Sequence, residues 1–488
     1  MEPNLALKTA HVVDILGNVV GRDQQIMTLE RACNLVSLLD SHHLIDEDVV
    51  FFDPFCKAGE ILLACAFLSC WNRNKQSDGP LQLEDIKDEL YESGRYFGLS
   101  PDERHHRLSL RTFLGNTNSH SDKYSEIIRN GNYLSEIDGR LDSNKFIREL
   151  DDMLEYIDLK EKPKKIIAVG NPPYQENYEG KNGNTGANPI YHFFLDALIS
   201  SKKINQFVMV IPSRWFAGGR GQALKKFSNE LRKSKQVKQI QDFQDSKTIF
   251  PTVDVKGGVC FIHWDSEYCG DTLFHSHDQN VTDYVDLTKG EIVVRDKPAR
   301  TIVDKVKNKS LNSLSDRAWS WNPFDLASNY FEKNSEDQSK NSVDCFTKRR
   351  IIKKLNRSNI IKNAEHIDAF KVVIPKAVSK GGIPYKPDQV FILNKGQICT
   401  ETYMVIDSFY NQKDALKLLN YLRSDFVRFL VSVKKITQDI TKETWCLVPD
   451  ISEIQSTQSD ELYKFYNLDQ DEINYIKSKV QLWQTSNR

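Results

Sequence analysis

The chain has 488 residues, 40% of them hydrophobic and 27% charged, with a formal net charge of −1. That length and balance predict two or three domains of a soluble protein and exclude a globally basic nucleic-acid binder, so any DNA contact has to come from local basic patches. Nine cysteines with neither zinc-type paired spacing nor a secretory leader read as reduced, mostly buried thiols, and no apolar run is long enough to span a bilayer, so a cytoplasmic protein with no membrane contact and no bound metal is expected.

In chain order, Leu29, Cys33, Val36 and Leu39 recur at helical spacing, and Thr28 fits the N-cap before them. Asp48 to Glu60 then reads as strand, tight loop and helix start, continuing through the apolar run Ile61 to Leu68. This is the first βα turn of a doubly wound sheet, where a ligand sits over the strand's carboxyl end. Gly59 lets backbone approach such a ligand, and free amides at the helix start offer donors to a carboxylate. Tyr96 to Ser100 reads as the second strand and Glu103 to Leu114 as its helix; Asp102 between them either takes ligand hydroxyls or caps the helix. His105 and His106 read as a solvated helix face. Asn116 to Glu126 is a polar excursion, Ile127 to Tyr133 a third strand ending at Gly131-Asn132, and Phe146 to Ile157 a crossover helix.

That helix feeds the run Ile166 to Gly170, which stops at Asn171-Pro172-Pro173-Tyr174. Two successive prolines fix φ and remove two backbone donors, leaving the carbonyls of Asn171 and Pro172 without a local amide partner. Asn171 adds a side-chain oxygen and Tyr174 a flat ring. Such a lip, rich in acceptors and flanked by a stacking surface, suits a planar group that carries an exocyclic amine.

Gln175 to Asn188, rich in Gly and Asn, predicts a loop that is either mobile or ordered by a ligand. Pro189 to Leu198 reads as a helix and Gln206 to Ile211 as a buried strand ending at Pro212-Ser213-Arg214-Trp215-Phe216. The following helix, with Lys225, Lys226, Arg232 and Lys233, is either a solvated face or a phosphate contact. Ile249 to Trp264 predicts a terminal hairpin, two apolar strands flanking the turn Lys256-Gly257-Gly258. Beyond Asp265 the βα rhythm gives way to short β-like runs, including Lys371 to Ala377 and Cys399 to Ile406, then a helix over Asp414 to Val431 and helices over Glu461 to Trp483. Lys348, Arg349, Arg350, Lys353 and Lys354 head the most concentrated basic segment, a candidate DNA contact. The expected division is 1–280, 281–450 and 451–488.

Asn-Pro-Pro-Tyr after a buried strand resembles the catalytic motif of amino methyltransferases that use S-adenosylmethionine. Asp53-Pro54-Phe55-Cys56-Lys57-Ala58-Gly59 is similar to their cofactor loop, departing at Lys57, where a glycine is usual. Together with Ile-Pro-Ser-Arg-Trp-Phe and Lys-Gly-Gly-Val-Cys, these motifs resemble type II restriction–modification adenine methyltransferases of the γ class, over roughly residues 20–265. The resemblance implies a Rossmann-like, doubly wound α/β catalytic domain and a C-terminal mixed α+β target-recognition domain. It implies methyl transfer to N6 of a flipped-out adenine in duplex DNA, with a cognate restriction endonuclease, if there is one, on another chain. It makes Asn171, Pro172, Pro173 and Tyr174 catalytic. It assigns Thr28, Asp53, Phe55, Cys56, Gly59, Ser100 and Asp102 to the cofactor, with Ser100 where an acid is expected. Cys56 as a nucleophile is discounted, since small residues of either kind fill its place. Transfer to cytosine N4, to RNA or to a protein glutamine remains open, as does a DNA-binding subunit with a degenerate cofactor site.

Overall fold

Strands that are apolar at every position need cover on both faces, and parallel sheets obtain it from helices. The computed structural model describes residues 26–74, 81–114, 127–134, 140–179, 185–218, 221–337, 339–379, 382–435 and 438–485. The excursion expected over 116–126, and Gly219 and Arg220, lie outside them. The chain divides into two compact units, Met1–Val293 and Val294–Arg488.

The first unit contains β1 (Val49–Asp53), β2 (Tyr96–Ser100), β3 (Ile128–Asn130), β4 (Lys165–Gly170), β5 (Gln175–Glu179), β6 (Thr185–Pro189), β7 (Gln206–Pro212), β8 (Val237–Phe243), β9 (Val259–Asp265), β10 (Thr272–Ser276) and β11 (Val281–Val285). Among the described residues, nine of these form one sheet in the order β11-β10-β8-β9-β7-β4-β1-β2-β3. The run β7-β4-β1-β2-β3 is parallel, and β9 lies antiparallel between β7 and β8. Side chains alternate across the sheet as the strand period demands. Phe51, Ile167 and Val208 pack with the helices Leu29–Val36 and Glu60–Asn74 on one face. Phe52, Ala168 and Met209 pack with Ser143–Glu161, Tyr191–Ser200 and Gln222–Lys233 on the other. The fold is the expected doubly wound α/β sheet. Chain order runs from β1 outward to β2 and β3, then returns to β4 on the other side of β1. The topological switch point therefore lies between the carboxyl ends of β1 and β4, where open α/β sheets bind ligands.

Three local expectations need correction. Ile249 to Gly258 is not a strand: the antiparallel partner joined to β9 through the chain is β8, and 244–258 is the connection. Pro251 has no amide for a ladder, and Gly258, at φ 79°, would put a Cβ 2.2 Å from the Phe243 carbonyl oxygen, so only glycine closes the loop there. The described parts of the Gly/Asn-rich stretch are strands, with β5 and β6 paired antiparallel from Gln175↔Pro189 to Glu179↔Thr185; a backbone ladder needs no apolar side chains. The helix expected over Asp414 to Val431 is two, Gln412–Arg423 and Asp425–Lys434. Ser424 breaks them at ψ 147° and caps the second by accepting from the Val427 amide at 3.3 Å.

The second unit holds two small sheets among its described residues. One joins β13 (Ile352–Asn356), β12 (Ser342–Phe346) and β16 (Gln397–Cys399); the other joins β15 (Phe391–Leu393), β14 (Phe370–Pro375) and β17 (Tyr403–Phe409). Helices Lys297–Lys309, Gln412–Arg423, Asp425–Lys434, Ser459–Phe465 and Gln470–Thr485 complete a mixed α+β unit. The boundary expected at 280 falls at 293, because Leu287 and Val293 belong to the first unit's core. Residues 451–488 are part of the second unit: Glu472 pairs with Lys305 at 2.6 Å and the Tyr466 hydroxyl bonds Ser310 at 2.9 Å.

Candidate active site

At the carboxyl end of β1, Asp53 is 1% exposed and accepts a hydrogen bond from the Phe55 amide at 2.9 Å. Burial, and then the nearby Glu60 carboxylate, push its carboxyl well above the ordinary range. Glu60 opens the helix Glu60–Asn74, and its carboxylate accepts from the amides of Ala58 at 3.2 Å and Met27 at 3.4 Å. The second bond ties the start of the first described helix to the loop. Thr28 is that helix's N-cap, as expected, accepting from the Arg31 amide at 3.4 Å. Gly59 takes φ 76°. Lys57, in place of the usual glycine, is buried, and its ammonium opposes the upward shift of both Asp53 and Glu60. Every residue from Asp53 to Glu60 is buried.

The other side chains expected at the cofactor each have protein neighbours. Phe55 stacks on Phe146 at 6.0 Å and meets the edge of Phe194 at 5.1 Å, so its ring serves the core and only its backbone serves the loop. Cys56 lies under β2, where a Cβ on Gly98 would be 3.0 Å from its sulfur, and burial pushes its thiol well up, which leaves it inert. The Ser100 hydroxyl is fully buried, 3.4 Å from that of Ser109. Asp102 caps the helix Glu103–Leu114, accepting from the His105 amide at 2.8 Å with its other oxygen 2.6 Å from His105 Nδ1. Partial burial would raise the Asp102 carboxyl, but these bonds outweigh it and hold it low. At the end of β3, Asn130 donates to Glu103 at 2.6 Å, while its own side-chain oxygen is buried without a partner among the described residues. The Tyr133 hydroxyl reaches back to the Pro54 carbonyl at 2.8 Å, fastening this third loop to the first.

Across the switch point stands the end of β4. A Cβ on Gly170 would lie 2.9 Å from Asp53 Oδ1 and 2.9 Å from Phe55 Cδ2, which sets the residue before Asn171 directly against the first loop. Asn171 is 2% exposed, and Pro172 and Pro173 are buried. The Tyr174 ring meets the Phe250 ring edge-on at 6.3 Å and 75°. Phe250 is not legible in the sequence as a site residue, because Ile249-Phe250 reads as a strand. The 244–258 connection delivers it: the Ser246 hydroxyl donates to Val253 O at 2.9 Å and accepts from the Val255 amide at 2.8 Å. The Tyr174 hydroxyl is buried with no partner among the described residues. Removing it should relieve an unmet desolvation cost, so Tyr174→Phe is expected to match or exceed the wild type in thermal stability, by up to about 1 kcal/mol; a clear fall in melting temperature would show that the hydroxyl is bonded.

Residues 81–250 match the family model described as Eco57I restriction-modification methylase. This chain is similar to that family over those residues. An uncharacterized adenine-specific methylase of Mycoplasma pneumoniae is 38% identical over 112 residues, 22% of this chain and 26% of that protein, so the match spans about a quarter of that relative's length. Among solved structures, the DrdV–DNA complex is 11% identical with a TM-score of 0.46, covering 92% of this chain and 58% of that one. The type IIL restriction-modification enzyme MmeI in complex with DNA is 10% identical with a TM-score of 0.42, covering 99% and 78%.

The basic helix Gln222–Lys233 is not a uniform phosphate-binding face. Arg232 is buried and donates to the carbonyls of Gly290 at 2.6 Å and Leu287 at 3.3 Å, and Lys226 faces Glu230 at 3.8 Å. No described helix is long and apolar enough to cross a membrane. In the second unit the five candidate DNA contacts divide. Arg350 packs over the Phe391 ring at 4.3 Å and donates to Asp388 O, and Lys353 pairs with Glu336 at 2.5 Å. Lys348, Arg349 and Lys354 are exposed, as Arg350 also is despite its contacts.

Proposed function

We propose that this chain methylates N6 of adenine in duplex DNA, using S-adenosylmethionine, as the modification activity of a restriction–modification system. The observation that carries the reading is the contact of Gly170 with Asp53 and Phe55, which sets Asn171 against the first βα loop at the switch point. Gly59 at φ 76°, the amides that open the helix Glu60–Asn74 and the spare oxygen of Asn130 fit a zwitterionic nucleoside there. Asp53, Glu60 and the capped helix start at Thr28 would hold it, with Asn130 as the third contact. The cofactor's sulfonium would supply the methyl group.

Adenine N6 is a poor nucleophile because its lone pair is delocalised into the ring. The Asn171 side-chain oxygen and the Pro172 carbonyl accept its two hydrogens and draw the nitrogen toward a pyramidal form, a preorganised electrostatic effect. As the nitrogen–carbon bond forms and the sulfur–carbon bond breaks, one N6 proton leaves to solvent. A paired base is out of reach, so the adenine has to flip out. Tyr174 and the neighbouring Phe250 then offer ring faces, and stacking recovers roughly 1–3 kcal/mol per base. Tyr174→Phe should therefore keep methylating where Tyr174→Ala does not. Cys56 has no part, since no covalent intermediate forms.

The test is to incubate the full chain with cofactor and duplex DNA of random sequence, then quantify methylated nucleosides. N6-methyladenine at a defined site is expected. N4-methylcytosine alone, or methylation only of RNA or of protein glutamine supplied in parallel, overturns the proposal. A DNA-binding subunit without catalysis is the second reading, favoured by the buried Lys57 and the covered loop; calorimetric titration with S-adenosylmethionine that gives no heat would select it.

A further inference from the structure

We propose that Arg349 reads a guanine of the recognition site and that Arg350 is the strut that holds it in place, an assignment that rests on the DNA methyltransferase reading above. β12 and β13 pair antiparallel up to Phe346↔Ile352, and the turn between them runs through Lys348, Arg349, Arg350 and Ile351. Arg349 sits at φ 62°, ψ 25° and Arg350 at φ 61°. Two successive left-handed residues are what a tight hairpin turn of this hand requires, and Asn-Gly meets the requirement without strain. Two arginines meet it only because the surroundings over-determine them.

Backbone bonds from Thr347 N to Ile351 O at 2.8 Å and from Ile351 N to Lys348 O at 3.4 Å span both, but the side-chain contacts act on one of the pair. The Tyr403 hydroxyl accepts from the Arg350 amide at 2.9 Å and donates to the Thr347 carbonyl at 3.1 Å, so one group clamps both sides of the turn. The Arg350 guanidinium lies 4.3 Å over Phe391 and donates to Asp388 O. Phe391 in turn meets Tyr403 edge-on at 5.5 Å. Arg349 has no such anchor among the described residues; both side chains are exposed, but only that of Arg350 is tied down. Beside Arg349, Lys348 is exposed, and Ile351 is 54% exposed despite its apolar side chain. A rigid turn therefore presents a fork of donors flanked by a cation and a methyl-bearing surface. That combination matches a DNA groove, with guanine O6 and N7 accepting from the fork, a phosphate meeting the lysine and a thymine methyl meeting the isoleucine.

The full chain and its Arg349→Ala, Arg349→Gly and Lys354→Ala variants are to be assayed on a random duplex library, with every methylated position sequenced. In Arg349→Ala, preference for guanine at one position should fall by about 10- to 100-fold, with the rest of the site retained. Arg349→Gly should lose the same preference while melting higher than the wild type, because glycine releases the turn's strain. Lys354→Ala should keep the site and weaken binding alike across sequences, lowering the salt slope by about one. An unchanged site in Arg349→Ala, or a loss spread evenly over all sequences, overturns the assignment while leaving the methyltransferase reading intact. A wild-type chain that methylates no duplex DNA overturns both.

Discussion

Asn171→Ala is expected to slow methyl transfer by about 100- to 1,000-fold, the usual effect of deleting one preorganised polar partner of a transition state. The affinities for S-adenosylmethionine and for DNA should stay near those of the wild type. The split follows from when the interaction acts. In the ground state the adenine amine is flat and its hydrogens are weak donors; as the new bond forms, the nitrogen gains positive charge and those hydrogens bind the Asn171 oxygen more tightly. Only an interaction that strengthens along the way to the transition state raises the rate rather than the affinity. Asn171 is 2% exposed, so bulk water does not dilute the effect. Single-turnover rates, cofactor calorimetry and DNA binding by fluorescence anisotropy separate the two quantities. A variant that turns over almost normally would remove Asn171 from the chemistry, and one that no longer binds cofactor would make it a structural residue of the loop instead.

What was legible in the sequence was whatever local chemistry decides alone. β1, β4 and β7 are buried on both faces, so their apolar runs stand out without any partner being known. The turn after β4 was legible because two prolines leave the backbone little choice. Asp102 could not be assigned from sequence, since the same acid before a helix serves a ligand or a cap; the 2.8 Å bond from His105 shows that it caps. Phe55 and Cys56 were assigned by their place in a motif, but which way a side chain faces depends on Phe146, Phe194 and Gly98, all far along the chain. Phe250 was missed for the converse reason. Apolar residues beside a glycine turn look like a strand, and the ring's true neighbour, Tyr174, lies 76 positions earlier. The basic segment shows the same limit, because the residues that occupy Arg350 and Lys353 are Phe391, Asp388 and Glu336, which no run of charges reveals.

Gly170→Ala carries the second large effect, and it tests the junction on which the proposed catalysis would depend. The glycine's φ lies outside the left-handed region, so an added methyl meets only a steric problem. That problem is severe, because the new Cβ would come within 2.9 Å of both Asp53 Oδ1 and Phe55 Cδ2, and 3.3 Å of the Met209 sulfur. Neither near neighbour can withdraw cheaply. Asp53 is held by the Phe55 amide at 2.9 Å, and the Phe55 ring is confined between Phe146 and Phe194. The strand end and the first βα loop must therefore move apart. Overpacking of this kind costs about 1–3 kcal/mol of stability. The catalytic loss should exceed what that figure explains, since a displacement of about 1 Å between reacting groups lowers a rate by about 100-fold. Measured well below the melting temperature and at saturating cofactor, the single-turnover rate should fall while the protein remains folded by circular dichroism. If that rate holds at the wild-type value while the melting temperature drops, the contact between β4 and the β1 loop is a packing feature only, and the distance from Asn171 to the cofactor is set elsewhere.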